Sequence, residues 1–106
     1  MSERIVIVGY RPHPGKEPEF LTLCESHWDT LNAENLVSQR RPIIVQAANG
    51  LVIEIFGWKS KEAMASAHSN PNVLAMWNNY SEVCDYAPVG DLEEFKQLFA
   101  EFKPIN

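Results

Sequence analysis

The sequence has no excess of basic residues and no long apolar run. Nine Lys and Arg stand against fourteen Asp and Glu, a net charge of -5, so nothing favours DNA or RNA as a partner. The longest purely aliphatic run is Ile5–Val8. A membrane helix needs roughly 20 apolar residues, and the run also lacks the length and cleavage site of a signal peptide. We therefore expect a cytoplasmic protein without a membrane or nucleic-acid partner.

Cysteines and metal-binding patterns are also scarce. Cys24 and Cys84 belong to no CxxC or Cys/His cluster, which is typical of small buried apolar side chains in a reducing compartment. His13, His27 and His68 fall on three different predicted elements, a distribution that does not favour a metal site. Motifs for hydrolytic triads, phosphate loops and dinucleotide binding are missing as well.

The residues that are present predict one globular α+β domain over residues 1–106, with a core over 4–89 and a C-terminal tail over 90–106. Apolar spacing predicts the order strand, helix, strand, strand, helix, strand. The predicted segments are strands at 4–10, 42–48, 51–58 and 85–89, a first helix at 16–33, and a second helix from 61 that breaks at Asn70-Pro71. Pro88 confines the last strand to a sheet edge. Asp91 and Glu94 have the spacing of a capping box, which predicts a short terminal helix.

The second and third strands meet at Asn49-Gly50, a pair typical of a two-residue type I′ hairpin. That turn would place Ala48 opposite Leu51 and Val45 opposite Glu54.

Both faces of the first three strands are apolar, whereas two helices can cover only one face of a four-stranded antiparallel sheet. We therefore expect a homodimer through the other sheet face. The alternative is that the C-terminal tail folds under its own sheet. Phe95, Phe99 and Phe102 predict that this tail is ordered, because free in water they would favour aggregation.

Three segments resemble, in this order, those of the antibiotic-biosynthesis-monooxygenase-like (ABM) family of the dimeric α/β-barrel superfamily. They are the loop around Pro14-Gly15, Trp58-Lys59-Ser60 before the second helix, and Ala67-His68-Ser69-Asn70-Pro71 within it. The resemblance covers residues 4–89. It implies a ferredoxin-like βαββαβ sandwich that forms a dimeric α/β barrel. Such families include cofactor-free oxygenases of aromatic polyketides and heme-degrading enzymes.

His68 is the first candidate for chemistry, because it shares an inward helical face with Met64. In the resembled family a histidine at this place lies near the cavity between helices and sheet, where it could take a proton from a phenol. The alternative is that His68 caps the end of the broken helix.

Glu54 is the second candidate base, because its strand neighbours are apolar and an ionised carboxylate there needs a partner. If it faces a cavity, desolvation raises its pKa; if it faces an interface, Arg11, Arg40 or Arg41 of either chain would pair with it.

Aromatic residues supply a candidate ligand-binding wall. This wall consists of His27, Trp28, Met64, Trp77 and Tyr80. The wall would suit a flat organic molecule, although the same spacing is also typical of a plain core.

The heme-degrading branch of the resembled group uses an Asn on the first strand and a Trp before a His on the second helix. Here the first strand has no Asn, and His68 precedes Trp77. We therefore expect no heme and no other cofactor. Two functions stay open: a cofactor-independent monooxygenase acting on a small aromatic compound, and a non-catalytic dimeric small-molecule-binding or accessory protein.

Overall fold

The computed structural model describes residues 2–106, which form three α-helices and a five-stranded antiparallel sheet. The helices are α1 (Glu17–Ala33), α2 (Lys61–Ala67) and α3 (Pro71–Val83). The strands are β1 (Arg4–Pro12), β2 (Ile43–Gln46), β3 (Val52–Trp58), β4 (Cys84–Tyr86) and β5 (Lys103–Pro104), in the sheet order β4-β1-β3-β2-β5. The predicted α+β class is confirmed. The sheet has five strands rather than the predicted four, because β5 is a two-residue strand that a periodicity pattern cannot indicate.

None of the helices in residues 2–106 has the length and apolarity that crossing a bilayer requires.

The break in the second predicted helix separates α2 from α3. Asn70 caps α3 through its side-chain oxygen, which accepts hydrogen bonds from the backbone N–H groups of Asn72 (3.0 Å) and Val73 (3.2 Å). Pro71 follows at the first helical position, where no N–H is needed. His68 is the residue directly after α2, so its side chain projects from the junction between the two helices.

The hairpin between β2 and β3 differs from the predicted one. The N–H of Ala47 donates to the carbonyl of Leu51 (2.9 Å), so three residues rather than two form the loop. Of Asn49 and Gly50, only the glycine has a positive φ (93°), whereas a type I′ turn needs two positive φ angles. The Asn-Gly pair thus indicates the hairpin correctly but not its turn type.

The extra loop residue shifts the register. Ile44 pairs with Glu54 and Val45 with Ile53, so the predicted Val45–Glu54 pair is wrong. A one-residue shift moves a strand's side chains to the opposite face. The inner face, which the helices cover, carries Val6, Val8, Tyr10, Ile44, Val52, Glu54, Phe56 and Trp58. The outer face carries Ile5, Ile7, Ile43, Val45, Ile53 and Ile55.

The C-terminal segment (residues 87–106) covers part of the outer face. Its Leu92 is 4% exposed and packs in a cluster with Val45, Ala47, Leu51 and Ile53, flanked by Ala87, Val89 and Phe102. The N–H of Ala87 donates to the carbonyl of Gly9 (2.9 Å), and a Cβ at Gly9 would collide with the carbonyl oxygen of Ala87. Part of the C-terminal tail therefore folds under its own sheet. This was the alternative to coverage of the whole outer face by a second copy of the chain.

Details of the C-terminal segment differ from expectation. Glu93–Lys96 form a short 3-10 helix without a side-chain cap, and Glu94 instead accepts a hydrogen bond from the backbone N–H of Ala48 (2.8 Å). Phe99 is 83% exposed, so it is not buried within one chain. The side chain of Asn106 bonds the backbone of Ile44 and Pro42, which anchors the end of the chain on β2.

Candidate functional site

A cavity of about 390 Å³ lies between the inner face of the sheet and the helices. Ligand sites for small molecules typically enclose about 300 to 1,000 Å³. The wall of this cavity contains two imidazoles and the aliphatic or thioether groups of Val6, Val8 and Met64. Its five aromatic side chains are Tyr10, Phe56, Trp58, Trp77 and Tyr86. The cavity can therefore hold a flat apolar molecule.

A buried carboxylate stands behind this wall. Glu54 is 0% exposed. Its Oε1 lies 2.8 Å and its Oε2 lies 3.0 Å from Nδ1 of His27. The hydroxyl of Tyr10 donates to Oε1 of the same carboxylate (2.8 Å). The partners of Glu54 are thus an imidazole and a phenol rather than any of the arginines considered from the sequence. Arg40 pairs with Glu3 instead.

The local structure explains why these three side chains meet. Tyr10 and Glu54 lie on the adjacent strands β1 and β3, and both point to the inner face. His27 belongs to the buried side of α1, which also carries Phe20, Cys24 and Leu31 at intervals of four, three and four. The ring of His27 meets Phe56 edge-on, with centroids 5.3 Å apart. The helical spacing therefore predicted the burial of His27, whereas only the fold brings it to Glu54.

The electrostatics keep the phenols in their protonated form. Burial, with the nearby charge of Glu54, raises the pKa of Tyr10 far above its ordinary value. Burial likewise raises the pKa of Tyr80. Cys84 is affected less, and burial raises the pKa of its thiol to about 11. Tyr10 is therefore a hydrogen-bond donor to Glu54 and not a phenolate.

His68 also borders the cavity and is exposed. Its ring centroid is 5.3 Å from that of Trp77, at an interplanar angle of 58°. Met64, one helical turn earlier, also borders the cavity. Of the residues singled out from the sequence, the fold thus brings His27, Met64, His68 and Trp77 to one cavity.

Two residues of the proposed wall lie elsewhere. Tyr80 is 0% exposed and packs in the core, where its ring stacks on Tyr10 with centroids 5.3 Å apart. Trp28 is half-buried on α1 and packs against the same core. Neither belongs to the cavity wall, so we assign both to the core.

Four of the aromatic residues that line the cavity were not singled out from the sequence: Tyr10, Phe56, Trp58 and Tyr86. The first three could have been found from strand alternation, because Val6, Val8 and Tyr10 share one face of β1, and Glu54, Phe56 and Trp58 share one face of β3. Tyr86 lies on the edge strand β4 and is 57% exposed, a position that no sequence pattern connects with the cavity.

No protein-family model matches the chain, and no curated protein matches it in sequence. A solved structure described as that of Rv0793 from Mycobacterium tuberculosis is similar to it, with a TM-score of 0.63. The similarity covers 85% of this chain and 98% of that chain, at 18% sequence identity. At this identity the likeness shows the fold alone.

Proposed function

We propose that this chain is an ABM-like protein that binds a small aromatic compound in the inner cavity and oxidises it as a cofactor-independent monooxygenase. The observation that carries the proposal is the cavity itself, which combines about 390 Å³ of space and five aromatic side chains with two imidazoles. Aromatic walls with a few polar groups favour flat organic ligands. The strand order β4-β1-β3-β2, with the helices on one face, supports a ferredoxin-like relationship in which β5 is an addition.

The proposed reaction needs only the substrate and dioxygen. A phenol with a free para position would lose its hydroxyl proton, the proton of its para C–H group and four electrons to O₂. One oxygen atom enters the ring to give a quinone, and the other leaves as water. Either imidazole of the cavity, His27 or His68, could accept the first proton.

Binding can be measured by tryptophan fluorescence. In a Trp28→Phe variant the two remaining tryptophans, Trp58 and Trp77, both border the cavity. We expect 1-naphthol to quench this fluorescence saturably. Met64→Phe should weaken the effect by narrowing the cavity, whereas Leu74→Phe, on the exposed side of α3, should not. Quenching that is equal in both variants would contradict binding in this cavity.

Turnover separates the two candidate functions. An oxygen electrode and mass spectrometry with ¹⁸O₂ should show consumption of O₂ and one labelled oxygen atom in a naphthoquinone product. Saturable binding without any product would instead favour the alternative, a non-catalytic small-molecule-binding or accessory protein.

We further propose that the protein is a homodimer through the outer face. Three isoleucines there are about half exposed, Ile5 (52%), Ile7 (52%) and Ile43 (55%), and Phe99 of the C-terminal segment is 83% exposed. Exposed apolar patches of this kind favour a protein partner. Light scattering should give a mass twice that of one chain, and the Ile7→Lys variant should give the mass of a single chain. Leu74→Lys, a matched change on the helical layer, should leave the dimer intact.

The cytoplasm is the proposed location. Cys24 and Cys84 are both buried free thiols, which suits a reducing compartment.

A further inference from the structure

The two imidazoles of the cavity have different surroundings. His68 is exposed, and its ring packs on Trp77. His27 is only 3% exposed, and its Nδ1 is held by the carboxylate of Glu54. A carboxylate bound to one ring nitrogen of a histidine determines the tautomer and the orientation of the ring. The two rings should therefore behave differently toward a ligand.

The hydrogen bonds around Glu54 indicate where the proton of His27 lies. Tyr10 keeps its own proton and donates it to Oε1, so this oxygen is an acceptor. Nδ1 of His27 is nearly equidistant from Oε1 (2.8 Å) and Oε2 (3.0 Å), the arrangement of one N–H shared by two acceptor oxygens. This arrangement fits Glu54 as the acceptor of both hydrogen bonds, with Nδ1 of His27 as the second donor. Nε2 is the ring nitrogen left to meet a molecule in the cavity.

We propose, on the basis of the function above, that Nε2 of His27 accepts the proton of an aromatic hydroxyl bound in the cavity. The O–H bond of the ligand breaks and an Nε2–H bond forms, so the ligand becomes a phenolate and His27 becomes an imidazolium. Glu54 and Tyr10 are positioning residues that hold the ring in this orientation. The ligand class is accordingly an aromatic compound with an acidic hydroxyl, not its ether.

Burial of Glu54 favours this proton transfer. An ionised carboxylate away from water is costly, and an opposite charge beside it offsets that cost. In the proposed state before transfer, both donors to Glu54, the Tyr10 hydroxyl and Nδ1–H of His27, are uncharged. After transfer, the imidazolium lies 2.8 Å from the carboxylate and compensates its charge. His68 has no such carboxylate partner among residues 2–106.

The test uses 4-nitrophenol, whose absorption spectrum changes when it ionises, and 4-nitroanisole, which has the same ring system but no acidic proton. At a pH below the pKa of free 4-nitrophenol, we expect the protein to bind it in the yellow phenolate form. It should also bind at least about tenfold more tightly than 4-nitroanisole, a difference of ~1.4 kcal/mol. Equal binding of the two probes without phenolate would overturn the inference and leave the proposed cavity function standing. Absence of any binding would overturn both.

Glu54→Gln removes the carboxylate with little change in shape. Its amide N–H₂ can donate to Nδ1, which moves the ring proton to Nε2 and leaves no acceptor for the ligand. We expect Glu54→Gln to keep 4-nitroanisole binding and to lose the phenolate signal. Glu25→Gln, the same change on the exposed side of α1, should keep the signal. A phenolate signal that survives in folded Glu54→Gln but is lost in His68→Ala would assign the proton to His68 and overturn the inference.

A measurement on the unaltered protein covers the case in which Glu54→Gln does not fold. In a sample labelled with ¹⁵N-histidine, two-bond H–N correlation spectra at mildly alkaline pH report which ring nitrogen carries the proton. We expect His27 to carry it on Nδ1 alone. A proton on Nε2 of His27 in the ligand-free protein would overturn the inference.

Discussion

The two faces of the sheet carry similar apolar side chains but are covered differently. The inner face is covered by helices and contains a paired buried carboxylate beside a cavity. The outer face carries the uncharged residues Ile5, Ile7, Ile43, Val45, Ile53 and Ile55, and it is covered only in part by the C-terminal segment. The same β-branched pattern therefore lines a cavity on one face and stays partly exposed on the other. What packs on the strands decides between the two.

The faces also differ in whether electrostatic or hydrophobic free energy matters more. On the inner face it is electrostatic, because Glu54 needs its donors in the interior. On the outer face it is hydrophobic, because Ile5, Ile7 and Ile43 are each about half exposed. Full burial of an isoleucine stabilises by about 1.5 to 3 kcal/mol, so covering the remaining halves would contribute roughly 2 to 4 kcal/mol in total.

The largest effect is expected from Glu54→Ala on the inner face. Removing the carboxylate leaves Nδ1–H of His27 and the Tyr10 hydroxyl without their buried acceptor, and each unsatisfied buried donor costs about 1 to 3 kcal/mol. Urea denaturation should show this loss in the free energy of unfolding. Glu25→Ala on the exposed side of α1 should change it by less than ~0.5 kcal/mol. Similar values for the two variants would contradict the electrostatic role of Glu54.

A loss of about 2 to 5 kcal/mol is expected from Leu92→Ala on the outer face, since Leu92 is 4% exposed beneath the sheet. Leu98→Ala provides the control, because Leu98 is 93% exposed in the same segment and should cost little within one chain. Thermal or urea unfolding of both variants checks this. If Leu92→Ala were as mild as its control, the C-terminal segment would not stabilise the outer face.

A smaller effect is expected at the junction between α2 and α3, in the layer that covers the inner face. Asn70→Ala removes the cap of α3 and should cost about 1 kcal/mol. Asn70→Ser retains a capping oxygen and should recover most of that loss. Circular dichroism during thermal unfolding can compare the two variants, and an equal loss in both would argue against the capping role.

The smallest effect is expected on the stability, at acidic pH, of the helical layer that covers the inner face. Hydrogen bonds from the Asn70 and Asn72 side chains hold the pKa of Glu34 below its ordinary value of 4.5. A carboxyl whose pKa is lower in the folded state stabilises the fold above pH 4.5 and loses that contribution as the pH falls through the folded pKa. Glu34→Gln should therefore be less acid-sensitive than the natural chain in unfolding measurements below pH 4.5. Identical pH profiles would exclude a contribution from Glu34.

Much of the fold could be predicted because it rests on local signals. Period-3.6 spacing located α1, and the Asn70-Pro71 pair located the start of α3. The hairpin register could not be predicted from Asn49-Gly50, because this pair is compatible with a two-residue and with a three-residue loop, and only the two-residue type I′ loop needs a positive φ angle at Asn49. β5 could not be predicted because two residues have no period.

The sequence by itself determined the order of the elements from β1 to β4, the start of α3 at Asn70-Pro71, the buried side of α1 that carries His27, and the need of Glu54 for a partner. Each follows from spacing, from turn chemistry or from the cost of a buried charge. Only the tertiary structure decided that the partners of Glu54 are His27 and Tyr10, which come from 27 and 44 positions away along the chain. It also decided which isoleucines stay exposed. Contacts at such separations depend on strand register and helix docking, and a one-residue shift would place Glu54 on the other face.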